Sequence, residues 1–211
     1  MYLIKTPWLL KAFYPKCTWD IPSKGKVVYL TFDDGPHPQA TAFVLAALKK
    51  YNAKATFFCI GNNVLAYPNI YSSILKEGHA VGNHTYDHLN GWKTDLNTYR
   101  ENIKSAAKLI DSPLFRPPYG RITNAQIKQI VQAADLPNKI IMWDVLSGDF
   151  DLKLTGVTCA NNVIHNARSG SIIVFHDSTK AWERLEVALP LVLQHFSDLG
   201  FRMDVLPTNL T

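Results

Sequence analysis

Cysteine is scarce in this chain, and what there is stands apart. Cys17, Cys59 and Cys159 are odd in number, widely spaced and free of any C-x-x-C pairing, which excludes a disulfide framework and a zinc knuckle and leaves buried free thiols as the expectation. Long hydrophobic runs are missing too, and nothing approaches a membrane span. The opening MYLIKTPWLLKAFYPKC is interrupted by Lys5 and Pro7 and has no small-residue cleavage site after it, so it makes a poor secretory signal; a cytoplasmic location is favoured, with association with the cell envelope as the alternative. Its Trp8, Leu9, Leu10, Phe13 and Tyr14 are expected to pack against the domain rather than to anchor it at a membrane interface. Dense basic runs are absent as well. The 22 basic and 17 acidic residues leave a net charge of +5, but their scatter describes a solvated surface and not a nucleic-acid interface.

Apolar residues make up 47% of a 211-residue chain, enough to bury the core of one domain. There is no internal repeat and no linker-like shift in composition. Pro22-Ser23-Lys24-Gly25 reads as a turn, so residues 1–25 are expected to form an arm and residues 26–211 the domain. Short β-branched or aromatic runs at 27–32, 55–60, 79–83, 114–116, 140–143, 171–175 and 201–206 read as strands. Helical patterns at 39–51, 69–77, 97–110, 124–134, 158–167 and 181–199 lie between them. Repeated strand–helix alternation predicts an α/β fold, a distorted (β/α) barrel of about seven parallel strands with outer helices. Asp33-Asp34, His84, Arg116, Trp143-Asp144 and His176-Asp177 each follow a strand run, and strand C-termini share one face of such a fold.

The chemistry of these residues narrows the reading. His84 and His88 are four apart, a spacing that lets two imidazoles reach one metal ion, and Asp34 can supply the third ligand. Adjacent carboxylates on extended backbone point to opposite sides, so Asp33 is free for a different task from Asp34. Arg116 can pair with a carboxylate and keep it ionised. The stiff segment Pro117-Pro118-Tyr119-Gly120 can fix a backbone N–H, of Tyr119 or Gly120, toward a developing oxyanion. His176 can protonate a leaving group if a carboxylate holds it, the candidates being Asp149 and Asp177. His37 is expected to line the cleft without a catalytic part; His165 and His195 are expected in helices, and His79, like Tyr67, Tyr71 and Tyr99, has no catalytic setting.

Taken together, these segments resemble the polysaccharide deacetylase family that shares the NodB homology domain, carbohydrate esterase family 4. The resemblance spans roughly residues 26–206 and rests on five motifs in order: Thr31-Phe32-Asp33-Asp34-Gly35-Pro36, His84-Thr85-Tyr86-Asp87-His88, Arg116-Pro117-Pro118-Tyr119, the stretch from Trp143 to Asp149, and Ile173-Val174-Phe175-His176-Asp177. It implies Asp33 as general base partnered by Arg116, and Asp34, His84 and His88 as ligands of a divalent metal, most often zinc, with cobalt or another divalent ion as alternatives. It also implies His176 as general acid partnered by Asp149, the Tyr119 backbone N–H at the oxyanion, and Trp143 beside the substrate. The implied reaction removes N-acetyl groups from N-acetylhexosamine-containing glycans, such as peptidoglycan or chitin-like oligomers, and releases acetate. An O-acetyl esterase acting on a polysaccharide such as xylan, and a weakly active glycan-binding relative, are the alternatives. The expected partner is an acetylated glycan or oligosaccharide, with a monomeric protein favoured. Two positions depart from the family pattern: Phe150 stands where tryptophan is usual, and Leu146 where a polar residue is common.

Overall fold

The computed structural model describes residues 2–208. In chain order its strands are β1 (Cys17–Thr18), β2 (Val27–Asp33), β3 (Ala55–Cys59), β4 (Ala80–Asn83), β5 (Leu114–Phe115), β6 (Lys139–Ile141), β7 (Val145–Leu146), β8 (Ile172–His176) and β9 (Arg202–Met203). Its helices are α1 (Trp8–Phe13), α2 (Ala40–Lys50), α3 (Gly61–Ala66), α4 (Pro68–Lys76), α5 (Leu96–Ala107), α6 (Asn124–Gln132), α7 (Gly156–Asn166) and α8 (Trp182–Asp198).

β2 and β3 are buried at every position, as strands covered on both faces must be, and their β-branched and aromatic residues suit that role. Phe32 stacks between Phe57 and Phe175, with ring centroids 5.1 and 6.0 Å away. The sheet runs in the order β1-β6-β5-β4-β3-β2-β8-β7, all neighbours parallel, with β9 paired to β2. β6 and β7 are consecutive in the chain, yet one pairs with β5 and the other with β8. A single run of chain therefore serves two distant parts of the ladder, and the sheet curls into a half-barrel with helices around it.

The N-terminal arm fills the resulting seam. Lys5 bridges antiparallel to Val145, Thr6 and Ile4 hydrogen-bond with Asp144 and Leu146 through their backbones, and β1 lies parallel to β6. Asp144, expected to face the mouth, lies instead at the seam: it is fully buried and takes Lys5 Nζ at 2.5 Å, Lys11 Nζ at 2.7 Å and Ser171 Oγ at 2.5 Å. The strand expected to end at Trp143 stops earlier, at Ile141, and a new one, β7, starts at Val145, so Asp144 sits at a bend level with the start of β8 and not at a strand end. The aromatic residues of the arm divide. Tyr14 packs beside Trp19 in a core cluster with Tyr99 and Phe115, whereas no residue of α1 is buried.

The six expected helices form within a few residues of their predicted ends; α8 continues through Pro190 because its stripe Leu185, Ala188, Leu189, Val192, Leu193 and Phe196 is buried. α1, α3, β1 and β7 were not anticipated. The three cysteines are free and buried. Among the described residues no helix is long and apolar enough to cross a membrane.

Candidate active site

Parallel strands deliver their last residues to one end of the barrel, and there the sequence places its polar groups. β2 and β8 are in direct register, Asp33 opposite His176, and β4 ends at Asn83 immediately before His84. Four non-glycine residues at this end have left-handed backbone, Asp34 (φ 80°), Thr85 (φ 63°), His88 (φ 57°) and Tyr119 (φ 61°). Such conformations cost about 1–3 kcal/mol each and persist where surrounding bonds enforce them. Here Asn63 Nδ2 donates to Asp34 O, Thr85 N to Asn83 Oδ1, and the backbone N–H groups of Tyr86 and Asp87 to Asn102 Oδ1.

Asp34, His84 and His88 converge, with one ligand atom from each lying within 4.8 Å of the others. His88 Nε2 lies 3.2 Å and His84 Nε2 3.7 Å from Asp34 Oδ1. His84 Nδ1 stands 2.8 Å from the carbonyl of Arg116. A carbonyl only accepts, so Nδ1 carries the hydrogen and the Nε2 lone pair faces Asp34. Burial pushes the His84 pKa down to about 4, and it stays neutral. Burial alone would raise Asp34, but the His88 contact and the imidazoles of His176 and His84 hold it well below the usual carboxylate range. Asp34 Oδ1 is buried and has no hydrogen-bond partner. An orphaned carboxylate oxygen facing two imidazole nitrogens is a set of donors that fits a divalent cation.

Asp33 has different company. Arg116, fully buried, donates from Nη1 to Asp33 Oδ1 and to Thr31 Oγ1, both at 2.7 Å, while Nη2 and Nε donate to the carbonyls of Met142 and Ile141. Its guanidinium carbon sits 4.1 Å from the centroid of the Phe58 ring. Every direction in which Arg116 can move is occupied, so it presents a fixed cation to Asp33.

Of the two candidate partners of His176, the structure selects Asp149. Asp149 is fully buried, accepting the backbone N–H of His176 at 2.7 Å and meeting His176 Nδ1 at 2.7 Å. Burial opposes the charged imidazole, but Asp149 outweighs it and the His176 pKa rises to about 9. Asp177 turns the other way, accepting from Gly35 N at 3.0 Å and Thr41 Oγ1 at 2.5 Å, and burial lifts its pKa to about 8. It braces the loop that carries Asp34, a use the sequence did not announce.

Tyr119 is exposed, its ring 4.6 Å from that of His88, and the Trp143 ring lies against Gly120, where an added Cβ would meet it at 2.5 Å. Both therefore line the mouth. Phe150 makes edge-to-face contacts with His176 and Tyr2, ring centroids 5.3 and 5.0 Å apart, while Leu146 is buried. A groove of about 410 Å³ leads from Asp34 and His88 past Pro36, His37, Tyr67 and Thr179. Tyr67, which the sequence gave no reason to place at the site, flanks it because α3 bends the chain back. His79 lies elsewhere, accepting from the N–H of Ala55.

A parallel half-barrel that gathers a paired carboxylate, a carboxylate-held histidine and an Asp–His–His cluster at its strand ends defines a hydrolytic barrel enzyme. The chain belongs to the polysaccharide deacetylase family, which it matches over residues 20–138. It is 36% identical over 191 residues to a peptidoglycan-N-acetylglucosamine deacetylase of Bacillus cereus, covering 88% of each chain. It is 37% identical over 198 residues to the chitooligosaccharide deacetylase of Azorhizobium caulinodans, covering 85% of this chain and 92% of that one. Among solved structures it is similar to a peptidoglycan N-acetylglucosamine deacetylase in complex with a naphthalenyl N-oxidanyl-benzamide, with a TM-score of 0.85, 33% identity and coverage of 96% and 95%.

Proposed function

We propose that the protein hydrolyses N-acetyl groups on N-acetylhexosamine-containing glycans, of the peptidoglycan or chitin-like kind, releasing acetate and the free amino sugar. The observation that carries this reading is the register pair Asp33 and His176, each held by its own ionic partner beside the Asp34–His84–His88 cluster. Deacetylases of both substrate classes among the relatives support it.

Asp34, His84 and His88 would hold a divalent ion, zinc being the expected one. Such an ion, when bound, polarises an acetyl carbonyl and lowers the pKa of a water molecule. Asp33, held by Arg116, takes a proton from the attacking water. The Tyr119 backbone N–H would share the oxyanion charge, and Trp143 would wall the acetyl group. An amine is a poor leaving group unless protonated, and His176, charged at neutral pH because of Asp149, donates that proton. An ester would need this acid less, so a charged His176 favours the amide over the O-acetyl substrate.

The test is acetate release from chitooligosaccharides, peptidoglycan and acetylated xylan, before chelation, after it, and after return of zinc or cobalt. The proposal expects turnover on the first two, its loss on chelation and its recovery with metal. Release from xylan alone, or release indifferent to chelation, would overturn it.

A further inference from the structure

The two histidines of the Asp34–His84–His88 cluster do not share a helix. Residues 84–90 form neither helix nor strand, so other parts of the chain must set the distance between the two rings. Every backbone N–H between the histidines is taken by a side-chain amide. That of Thr85 donates to Asn83 Oδ1 at 2.8 Å, and those of Tyr86 and Asp87 donate to Asn102 Oδ1 at 2.8 and 3.0 Å. The carbonyls of Thr85 and Tyr86 accept from the backbone N–H groups of Gly61 and Asn62, each at 3.0 Å. The Asp87 carboxylate is gripped from two helices, by Asn62 Nδ2 of α3 at 2.5 Å and by Asn102 Nδ2 of α5 at 2.6 Å.

The third residue of the cluster is fastened to the same short helix. Ile60 N donates to Gly35 O at 3.0 Å, and Asn63 Nδ2 donates to Asp34 O at 2.7 Å. Residues 60–63 therefore bond both to the loop that carries Asp34 and to the turn that carries the histidines. The contact is also close-packed, since a Cβ on Gly61 would meet the Tyr86 ring at 2.5 Å. Asp34 and His88 both have left-handed backbone, φ 80° and 57°, which a side chain opposes; relaxation of either would swing its ligand atom away from the others. We propose that Asn63 and Asn102 are positioning residues of the metal site. Asn63 fixes Asp34, Asn102 fixes the turn between the histidines, and α3 joins the two so that the three ligand atoms are held at one place. This rests on the reading of Asp34, His84 and His88 as ligands of a divalent ion. Both asparagines bond to backbone around the ligands, so their loss would act through ligand placement, an effect commonly worth about 10–100-fold in metal affinity.

Zinc affinity of the full chain, stripped with a chelator and titrated in competition with a chromophoric chelator, tests this, alongside melting curves with and without zinc. Asn63→Ala and Asn102→Ala should each raise the zinc Kd by about 10–100-fold and shrink the rise in Tm that zinc gives. Should one of these variants fail to fold, the other carries the same prediction. Thr155→Ala, which removes the side-chain cap of α7, is the control: it should lower the Tm and leave the zinc Kd unchanged. Zinc affinity of wild-type strength in the asparagine variants, or an equal loss in Thr155→Ala, would overturn the inference and leave the ligand assignment standing. A wild-type chain that takes up no divalent ion would overturn both.

Discussion

The mouth of the barrel holds two buried carboxylates with basic partners, and the proposed mechanism gives the two pairs opposite tasks. Asp33 meets Arg116, whose charge is permanent, so the pair fixes the carboxylate in place and, in the proposed mechanism, leaves it to take a proton from water. Asp149 meets His176, whose charge is conditional, so the same kind of pair keeps the imidazole protonated and ready to give a proton. On that proposal one fold produces a base and an acid from two ion pairs, and the difference lies in whether the basic partner's charge is permanent or conditional.

Removing the acid should have the largest effect on that contrast. His176→Ala is expected to lower acetate release from an N-acetylated oligosaccharide by about 10²–10⁴-fold, and to cost far less on an activated acetyl ester. Steady-state rates on both substrates measure this, and equal losses would remove the distinction between acid and base. Next comes the fixed cation. Arg116→Met leaves Asp33 buried without a partner, and the chain should lose about 3–5 kcal/mol of stability in denaturant titrations as well as its activity.

The smallest effect concerns pH. The folded His176 pKa, about 9, lies above its ordinary 6.5, so the ion pair stabilises fully below about pH 6.5 and is lost as pH rises through about 9. Turnover should fall along the same upper limb. In Asp149→Asn that limb should move down toward about 6.5, which a kcat/KM profile against pH would detect; an unmoved limb would mean that another group sets it.

The strand ends were legible because each long apolar run stops at a polar residue, and β2 and β8 have length enough to show it. The seam was not. β1 and β7 are two residues each and carry no periodicity, and they form only because the curled sheet brings chain to chain at Ile140 and Ile173. Asp144 misled for the same reason, since the run through Trp143 looks like one strand with Asp144 at its end, whereas β6 stops at Ile141 and Asp144 is the bend just before β7. α3 has the sequence GNNVLA, a weak helix former, and is held by bonds from Ile60, Gly61 and Asn62 to the carbonyls of Gly35, Thr85 and Tyr86. From the residues alone the partner of His176 stayed open between Asp149 and Asp177, because nothing local distinguishes them, and only the family resemblance named Asp149; in the structure Thr41 and Gly35 occupy Asp177.

The division of labour between the adjacent aspartates is the claim most exposed to experiment. Metal content and acetate release should be measured on the same preparations of Asp33→Asn and Asp34→Ala. The account predicts that Asp33→Asn keeps its metal and loses turnover, while Asp34→Ala loses both; an Asp33→Asn protein without metal, or an Asp34→Ala protein that retains it, would contradict the assignment.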